Sequence, residues 1–461
     1  MARKVHSSLH PSPVQSARVS SEVRRYEILT PMVGGGIKSF QTDMHFPIRP
    51  TALRGILRYW WRATRGWQSK GNIHRLRELE ATIWGGSYKG PDGKVVIVSS
   101  PISLDVVVTQ QGHDIRANDP DSKITGDPSH SAPIGDKKGR SRFSYVLFPL
   151  REPKESNATN LFPVVAKSLL EFELRLIYAA IPNINMKDEI DAALWAWELF
   201  GGVGARTRRG CGSIQSLDNT KRIEDLIQEG IQRFLSGSNS GAWPAHVPNL
   251  QGLTATQVYQ PGRASVAWRR MQYQNAVDAW LNLVDIFKLQ IRQARNTTGA
   301  KNNIGSSKWF EANALRKIYA NQRQMPQFQN GNSPTAQQLI FSRLQLGAPM
   351  ELSFINPNHF RKGDSKDYKF MVSVDDANEL RVPSPLIFRV WRSPNGSMHQ
   401  VVLVMGGLRT PDEAIVQSAQ LREPKSVKTR GVGDVELLNR RRADLNDVLR
   451  IAFEILKGNQ Q

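Results

Sequence analysis

The sequence predicts an α+β protein built from two domains. The chain has 461 residues, which is enough for two or three domains of about 150 residues each. With 39% hydrophobic and 22% charged residues, the composition is that of a folded protein and excludes collagen-like and wholly disordered chains. Segments with strand-like and helix-like spacing of apolar residues alternate along the chain, as they do in mixed α/β domains.

The first strand is predicted over residues 22–32, where it ends at Pro31 and three consecutive glycines. A helix follows over residues 51–65, with Thr51 as its cap and Gly66 as its stop signal. One face of this helix is apolar, and the opposite face carries an arginine stripe. The stripe consists of Arg54, Arg58, Arg62 and Arg65.

Further elements complete the first half. Residues 94–99 and 103–109 suit a hairpin around Pro101, and residues 144–150 and 168–178 have strand character. Residues 188–200 begin with acids, carry an apolar stripe and end at Gly201, which indicates a helix. The resulting order of β, α, β, β, β, α and β is close to that of a ferredoxin-like unit.

The second half begins after a linker rich in Gly, Ser, Asn and Pro at residues 236–262. A helix is predicted over 266–295 and another over 434–456, with strands at 353–356, 385–391 and 400–405. We therefore predict a polar, flexible tail at residues 1–20, an N-terminal domain at 21–235 and a second α+β domain at 263–461.

The charge of the chain points to a polyanionic partner. Sixty-two Lys and Arg residues against 41 Asp and Glu give a net charge of +21, which suits nucleic acid or an anionic surface. A membrane span is excluded, because no stretch reaches about 18 uninterrupted apolar residues.

Cysteine and histidine usage limits the chemistry. A single cysteine, Cys211, excludes an internal disulfide framework and favours a reducing, cytoplasmic location. The nine histidines form no zinc-binding pair, so no metal or other cofactor is expected. Cys211 itself is interpreted as an apolar filler.

Residues 44–77 contain no Asp or Glu but many cations interleaved with aromatics. A basic groove with aromatic rings is typical of single-stranded nucleic acid binding, because cations follow the phosphates and rings stack on bases. We interpret Trp60 as a core residue and Trp61 as a base platform. The alternative is a solvated helix face over a tryptophan-filled core.

A second signal is the segment FGGVGARTRRGCGSI at residues 200–214, where glycines surround three arginines. Glycines let the backbone approach an anion, and arginines make charge-assisted bonds to phosphate. The segment follows a helix and lacks the spacing of a P-loop. A purely structural turn remains the alternative.

Catalytic patterns are sparse. His45 and Asp43 lie in the loop before the arginine stripe, and either could assist attack of a 2′-hydroxyl on phosphate. A metal-independent endoribonuclease using His45 or Asp43 is therefore the alternative function.

Several segments together resemble the RAMP proteins of CRISPR effectors, and most closely the first RAMP subunit of type III-B (Cmr) RNA-targeting complexes. The matching segments are ILTPMVGGG at 28–36, RPTALRGILRYWWRATRG at 49–66, ATIWGGSYKG at 81–90, LWAWELFGGVGARTRRGCGSI at 194–214 and VPSPLIFRV at 382–390. The sequence departs from the family at Cys211, where a larger apolar residue is usual. It also has only Gly431 and Gly433 where a second glycine-rich loop would lie.

The resemblance implies two ferredoxin-like, RRM-like RAMP domains with helical and loop insertions. It also implies a noncatalytic subunit at one end of a ribonucleoprotein for antiviral defence, which binds guide RNA, target RNA and other RAMP subunits while a different subunit cuts the target. Trp60 and Phe200 are expected to pack in the core. The residues expected to face RNA are Arg54, Arg58, Trp61, Arg62, Gly202, Gly204, Arg206, Arg208 and Arg209.

Overall fold

The structure is a computed structural model. It describes residues 19–35, 42–43, 45–116, 146, 164–239, 241–273, 275–293, 309, 341–347, 350–354, 368–373, 381–408, 412–417, 425–428, 434–437, 441–444 and 447–458. In this part of the chain, no helix is long and apolar enough to cross a lipid bilayer.

The described strands are β1 Val19–Ile28, β2 Gly86–Lys89, β3 Val95–Val98, β4 Ile102–Gln110, β5 His113–Arg116, β6 Val164–Ser168, β7 Glu171–Ala179, β8 Ile214–Ser216, β9 Ser265–Met271, β10 Met350–Phe354, β11 Tyr368–Ser373, β12 Leu386–Arg392, β13 Met398–Val404, β14 Glu413–Gln417, β15 Lys425–Lys428, β16 Asp434–Leu437 and β17 Arg441–Asp444. The α-helices with described bounds are α1 Pro50–Arg65, α2 Ile73–Trp84, α3 Met186–Phe200, α4 Ile223–Gly230, α5 Ala276–Asp285 and α6 Val448–Lys457. Helices α4 and α5 continue as π-helical turns at Ile231–Leu235 and Ile286–Gln293.

The first sheet has the strand order β4-β7-β1-β8, and every neighbouring pair is antiparallel. Its chain path runs from β1 through α1 to β4 and β7, and then through α3 to β8. Within this sheet the path is β-α-β-β-α-β, with one strand fewer between the two helices than the predicted order of β, α, β, β, β, α and β. Helix α2 and the β2–β3 hairpin are inserted between α1 and β4.

Helices α1 and α3 cover one face of this sheet. Leu57 and Trp60 of α1 and Trp197 of α3 lie in one buried cluster with Leu174 and other residues of β7. Burial of this apolar surface is the main source of stability for the first half. Trp60 is 4% exposed and Phe200 is 1% exposed, which confirms both as core residues.

The second half contains a three-stranded antiparallel sheet in the order β12-β13-β9. The path from β9 through α5 to β12 and β13, and then to α6, is β-α-β-β-α. No fourth strand of this sheet occurs among the described residues. The strands β10, β11, β14 and β15 form a separate sheet, and β16 pairs with β17.

Two predicted helices of the second half are wrong at their N-terminal ends. Residues 265–271 form strand β9, because pairing with β13 determines the backbone there more strongly than local periodicity. The helix starts only at Ala276, where the Asn275 side chain accepts the N–H of Asp278. Residues 434–444 likewise contain two paired strands, and α6 begins after the Asp447 cap.

The predicted hairpin between residues 94–99 and 103–109 is also wrong. Strand β3 pairs with β2, and β4 pairs with β7, which is distant in sequence. The sequence reading missed α2, which is capped by the Asn72 side chain. The cap predicted for α1 is wrong too, because the helix begins at Pro50 after Arg49, which makes no side-chain cap.

The linker segment docks on the first half where it is described. The Trp243 indole donates to the carbonyl of Arg62 at 2.8 Å, and the backbone N–H of Leu250 donates to the carbonyl of Ala63 at 2.9 Å. Residues 1–18, Gly431, Gly433 and all of 144–150 except Val146 lie outside the described residues.

Candidate nucleic-acid interface

The glycine-rich loop, defined here as residues 201–213, joins α3 to β8 and is held by backbone bonds. The N–H of Val203 donates to the carbonyl of Gly212 at 2.9 Å, so the loop closes on itself. The N–H of Ala205 donates to the carbonyl of Val33 at 2.6 Å, and that of Gly212 donates to the carbonyl of Pro31 at 2.9 Å. The loop is therefore laid against the segment that follows β1.

At two positions of the loop, backbone atoms lie too close to the glycine for any side chain to fit. A Cβ on Gly202, which is buried, would lie 2.6 Å from the carbonyl oxygen of Gly212. Gly204 is exposed, has a φ of +80°, and would bring a Cβ to 2.6 Å from the carbonyl oxygen of Val33. Both positions therefore require glycine, and of the two only Gly204 presents backbone to solvent.

Arg206 and Arg208 lie half-buried at the surface of the loop. The Arg206 Nε donates to the carbonyl of Val146 at 3.0 Å. The Arg208 Nη2 donates to the Tyr59 hydroxyl at 3.3 Å, and its guanidinium lies 5.7 Å from the Tyr59 ring centroid. Among the described residues, neither arginine forms an ion pair with a carboxylate. Within the described part of the chain, no carboxylate neutralises these two positive charges directly.

Arg209 has a different role from the predicted one. Its side chain is 9% exposed and lies 4.4 Å from the ring centroid of Phe287. Its Nη1 donates to the carbonyl of Leu386 at 2.8 Å, and the Trp280 indole donates to the Arg209 carbonyl at 2.7 Å. The prediction that Arg209 faces RNA is wrong, because the residue is buried between the loop and the second half.

Arg389 of β12 is the residue that sequence reasoning missed. It is 1% exposed, and its Nη1 donates to the carbonyls of Glu198 at 2.7 Å and Gly201 at 2.9 Å. Its Nη2 donates to the carbonyl of Ile214. Burial lowers the pKa of Arg389 to about 9, so it stays charged near neutral pH. The signal available in the sequence was a lone arginine within the apolar run PLIFRV.

The arginine stripe of α1 is largely paired with other parts of the fold. Glu80 of α2 accepts from Arg58 Nε at 2.7 Å and from Arg62 Nη1 at 2.5 Å. Arg54 Nη2 donates to the carbonyl of Ile102 at 3.1 Å, while its buried Nε has no hydrogen-bond partner among the described residues. Two guanidinium groups against one carboxylate leave a net positive charge on this face of α1.

Trp61 is a core residue and not a base platform. Its side chain is 0% exposed, and its indole donates to Glu189 Oε2 at 2.7 Å. The same carboxylate pairs with Arg65 at 3.0 Å. A ring enclosed on both faces cannot stack on a base, so the prediction for Trp61 is wrong and the packing alternative holds.

The loop before α1 is organised by Asp43. Its Oδ1 accepts the N–H groups of His45 at 3.0 Å and Phe46 at 2.9 Å, and its Oδ2 pairs with Arg49 Nη2 at 2.9 Å. The bond from the Phe46 N–H and the bond from Arg49 lower the pKa of the Asp43 carboxyl. A carboxylate stabilised in this way is a weaker proton acceptor, which argues against Asp43 as a general base.

The chain is similar to one known protein family and to several solved structures. Residues 25–215 match the model of the RAMP superfamily. The fold is similar to the crystal structure of Cmr1 from Pyrococcus furiosus, with 15% identity, a TM-score of 0.41 and coverage of 85% of this chain and 90% of that chain. It is also similar to a chain in a cryo-EM structure of the type III-B Cmr-beta bound to cognate target RNA, with 13% identity, a TM-score of 0.41 and coverage of 85% and 95%. No match was found among curated proteins.

Proposed function

We propose, from the RAMP superfamily domain at residues 25–215, that this chain is a noncatalytic RNA-binding subunit of a type III-B, Cmr-like CRISPR ribonucleoprotein. In this proposal it is a cytoplasmic protein that binds guide RNA and target RNA at one end of the assembly, beside other RAMP subunits, and serves antiviral defence. Its two halves are two ferredoxin-like RAMP units. The β-α-β-β-α path of the second half supports the second unit.

One observation supports RNA binding more than any other. Arg206 and Arg208 stand at the surface of the glycine-rich loop with only a carbonyl and a hydroxyl as hydrogen-bond acceptors for their side chains in the described part of the chain. Gly204 beside them presents an exposed backbone. A phosphate can approach this loop closely and gain charge-assisted bonds from both guanidinium groups.

The α1 stripe contributes a secondary attraction in this proposal. Arg58 and Arg62 share Glu80, so their side chains can offer remaining N–H groups to a phosphate while staying anchored. Arg54 belongs to the same stripe and is half-buried, and its Nη2 donates to the carbonyl of Ile102. We propose that these three arginines also contact phosphates and contribute less to RNA affinity than Arg206 and Arg208.

The salt dependence of RNA binding tests the proposal. Wild-type chain and the Arg208→Ala and Arg206→Ala variants are titrated with a labelled single-stranded RNA over a series of salt concentrations. Each lost phosphate contact is expected to weaken binding and to reduce the slope of log K against log salt by about 0.7. A slope unchanged in both variants contradicts the proposed interface.

Arg175→Ala is the matched control. Arg175 is exposed and paired with Glu173 on β7. Its neighbours Leu174 and Leu176 point into the core under α1, so Arg175 lies on the opposite face of the sheet. Its replacement removes the same charge and is expected to leave the salt slope unchanged.

The endoribonuclease alternative is tested in the same samples. Intact RNA after incubation with wild-type chain, with and without added divalent metal, supports the noncatalytic assignment. Cleavage that is abolished by His45→Ala or Asp43→Ala, with binding retained, would replace it.

A further inference from the structure

We infer that Phe46 is a stacking platform for an unpaired RNA base, next to the phosphate contacts of the glycine-rich loop. This inference rests on the proposed RNA-binding function and adds a base contact to it. The Phe46 side chain is 72% exposed. Among the exposed large apolar side chains in the described part of the chain, Phe46 is aromatic and the others are aliphatic.

The position of Phe46 is held by its own loop. Asp43 accepts the backbone N–H of Phe46 at 2.9 Å and that of His45 at 3.0 Å, while Arg49 pairs with the second oxygen of the same carboxylate. One side chain thus ties together both ends of a short turn that leads into α1. A ring presented from an ordered turn loses little conformational entropy when a base stacks on it.

The turn that carries the ring lies near the glycine-rich loop. A Cβ placed on Gly35 would lie 3.8 Å from the carbonyl oxygen of Pro47, the residue after Phe46. Two residues before Gly35, Val33 forms a β-bridge with Ala205 of the glycine-rich loop. The turn that carries Phe46 therefore lies close to the segment that pairs with Ala205, the residue before Arg206.

The surroundings favour a base over an apolar protein side chain as the occupant. From residue 44 to residue 77 the sequence contains eight Lys or Arg and no Asp or Glu, so the carboxylates that pair with five of these cations come from outside this segment. An exposed ring among cations is the combination that single-stranded nucleic acids bind, since any base offers a flat face. Trp61 was expected to stack on a base, but it is buried. Phe46 is the ring that we propose makes the stacking contact instead.

The test compares Phe46→Leu with Phe46→Tyr in the full-length chain, using a labelled single-stranded RNA and the same RNA with abasic nucleotides. Leucine keeps an apolar side chain but has no ring, whereas tyrosine keeps the ring. We expect Phe46→Leu to weaken binding by about tenfold and Phe46→Tyr to restore wild-type affinity, as base stacking predicts. The salt slope is expected to stay unchanged in both variants, because stacking releases no counterions.

The abasic RNA separates stacking from a structural effect of the substitution. With abasic nucleotides, wild-type chain and Phe46→Leu are expected to bind equally. Equal affinity of wild type and Phe46→Leu for the base-containing RNA, while Arg208→Ala still reduces the salt slope, would overturn the inference and leave the proposed function standing. Absence of any salt-dependent RNA binding by wild-type chain would overturn both.

Discussion

Arg389 donates a hydrogen bond of 2.9 Å to the carbonyl of Gly201, so a strand of the second half holds the first residue of the glycine-rich loop. The same guanidinium reaches the carbonyl of Ile214, just past the loop's end. Both ends of the loop are therefore attached to one buried side chain. The second half thus determines the shape of the surface that we propose binds RNA.

Replacing Arg389 with methionine is expected to destabilise the protein strongly. The change leaves several buried carbonyls without donors, and each unsatisfied group costs about 1 to 3 kcal/mol. We expect the free energy of unfolding, measured in urea, to fall by about 3 kcal/mol or more. The stability of Arg389→Lys should lie between those of wild type and Arg389→Met, because an ammonium group can donate to only some of these carbonyls. A loss no larger than that of Arg175→Ala would show that the buried contacts contribute little.

Cys211 is expected to report opening of the glycine-rich loop. Burial raises the pKa of its thiol to about 12, so almost no thiolate is present at pH 8. Because it is the single cysteine of the chain, labelling with a thiol reagent gives one unambiguous signal. We expect labelling of the native protein to be slower than that of the urea-unfolded protein by orders of magnitude. Rapid labelling without denaturant would mean that the loop is accessible in the folded state.

Gly212→Ala should be far more damaging than Gly93→Ala. Both glycines have a positive φ, so alanine at either position carries a backbone cost of about 1 to 2 kcal/mol. Only at Gly212 would the added Cβ also overlap the carbonyl oxygen of Val203, whereas Gly93 has open space around it. Thermal or urea unfolding is expected to show a much larger loss for Gly212→Ala. Equal losses of stability in the two variants would mean that the positive φ alone, and not the overlap with Val203, destabilises Gly212→Ala.

The pair formed by buried Tyr26 and half-buried Glu198 predicts a dependence of stability on pH. The Tyr26 hydroxyl donates to Glu198 Oε1 at 2.6 Å, and burial raises the pKa of the Glu198 carboxyl above its ordinary value of 4.5. The folded state therefore holds this proton more tightly than the unfolded state. Stability from Glu198 is present below pH 4.5 and is lost as pH rises through the folded-state pKa.

Glu198→Gln removes this titration while keeping an acceptor for Tyr26. Its free energy of unfolding, relative to wild type, is expected to be higher at pH 7 than at pH 4. Urea unfolding of both proteins across this range measures the difference. A difference that shrinks with rising pH would mean that Arg24 and Arg389 stabilise the carboxylate more than burial penalises it.

Local patterns in the sequence predicted three elements of the first half correctly. The periodicity of residues 51–65, the alternation in 168–178 and the glycine after Phe200 all depend on neighbours along the chain. These elements are present as α1, β7 and α3.

The errors arose where distant residues decide the outcome. Trp61 is buried because Glu189 and the sheet enclose it, and Arg209 is buried because the second half covers it. Glu80, which pairs with Arg58 and Arg62, lies on α2, a helix that the sequence reading missed. A periodic pattern shows that two faces of a helix differ, but it does not show which charged partner folds onto the polar face.

The most direct test of the central claim is to tag this chain in its native cells, purify it gently, and record the native mass and RNA content of what accompanies it. The proposed function predicts a large assembly of several RAMP proteins with a discrete short RNA. It also predicts that replacing Arg206 and Arg208 together with alanine reduces the RNA recovered. A bare monomer or homodimer without a defined RNA would contradict the account.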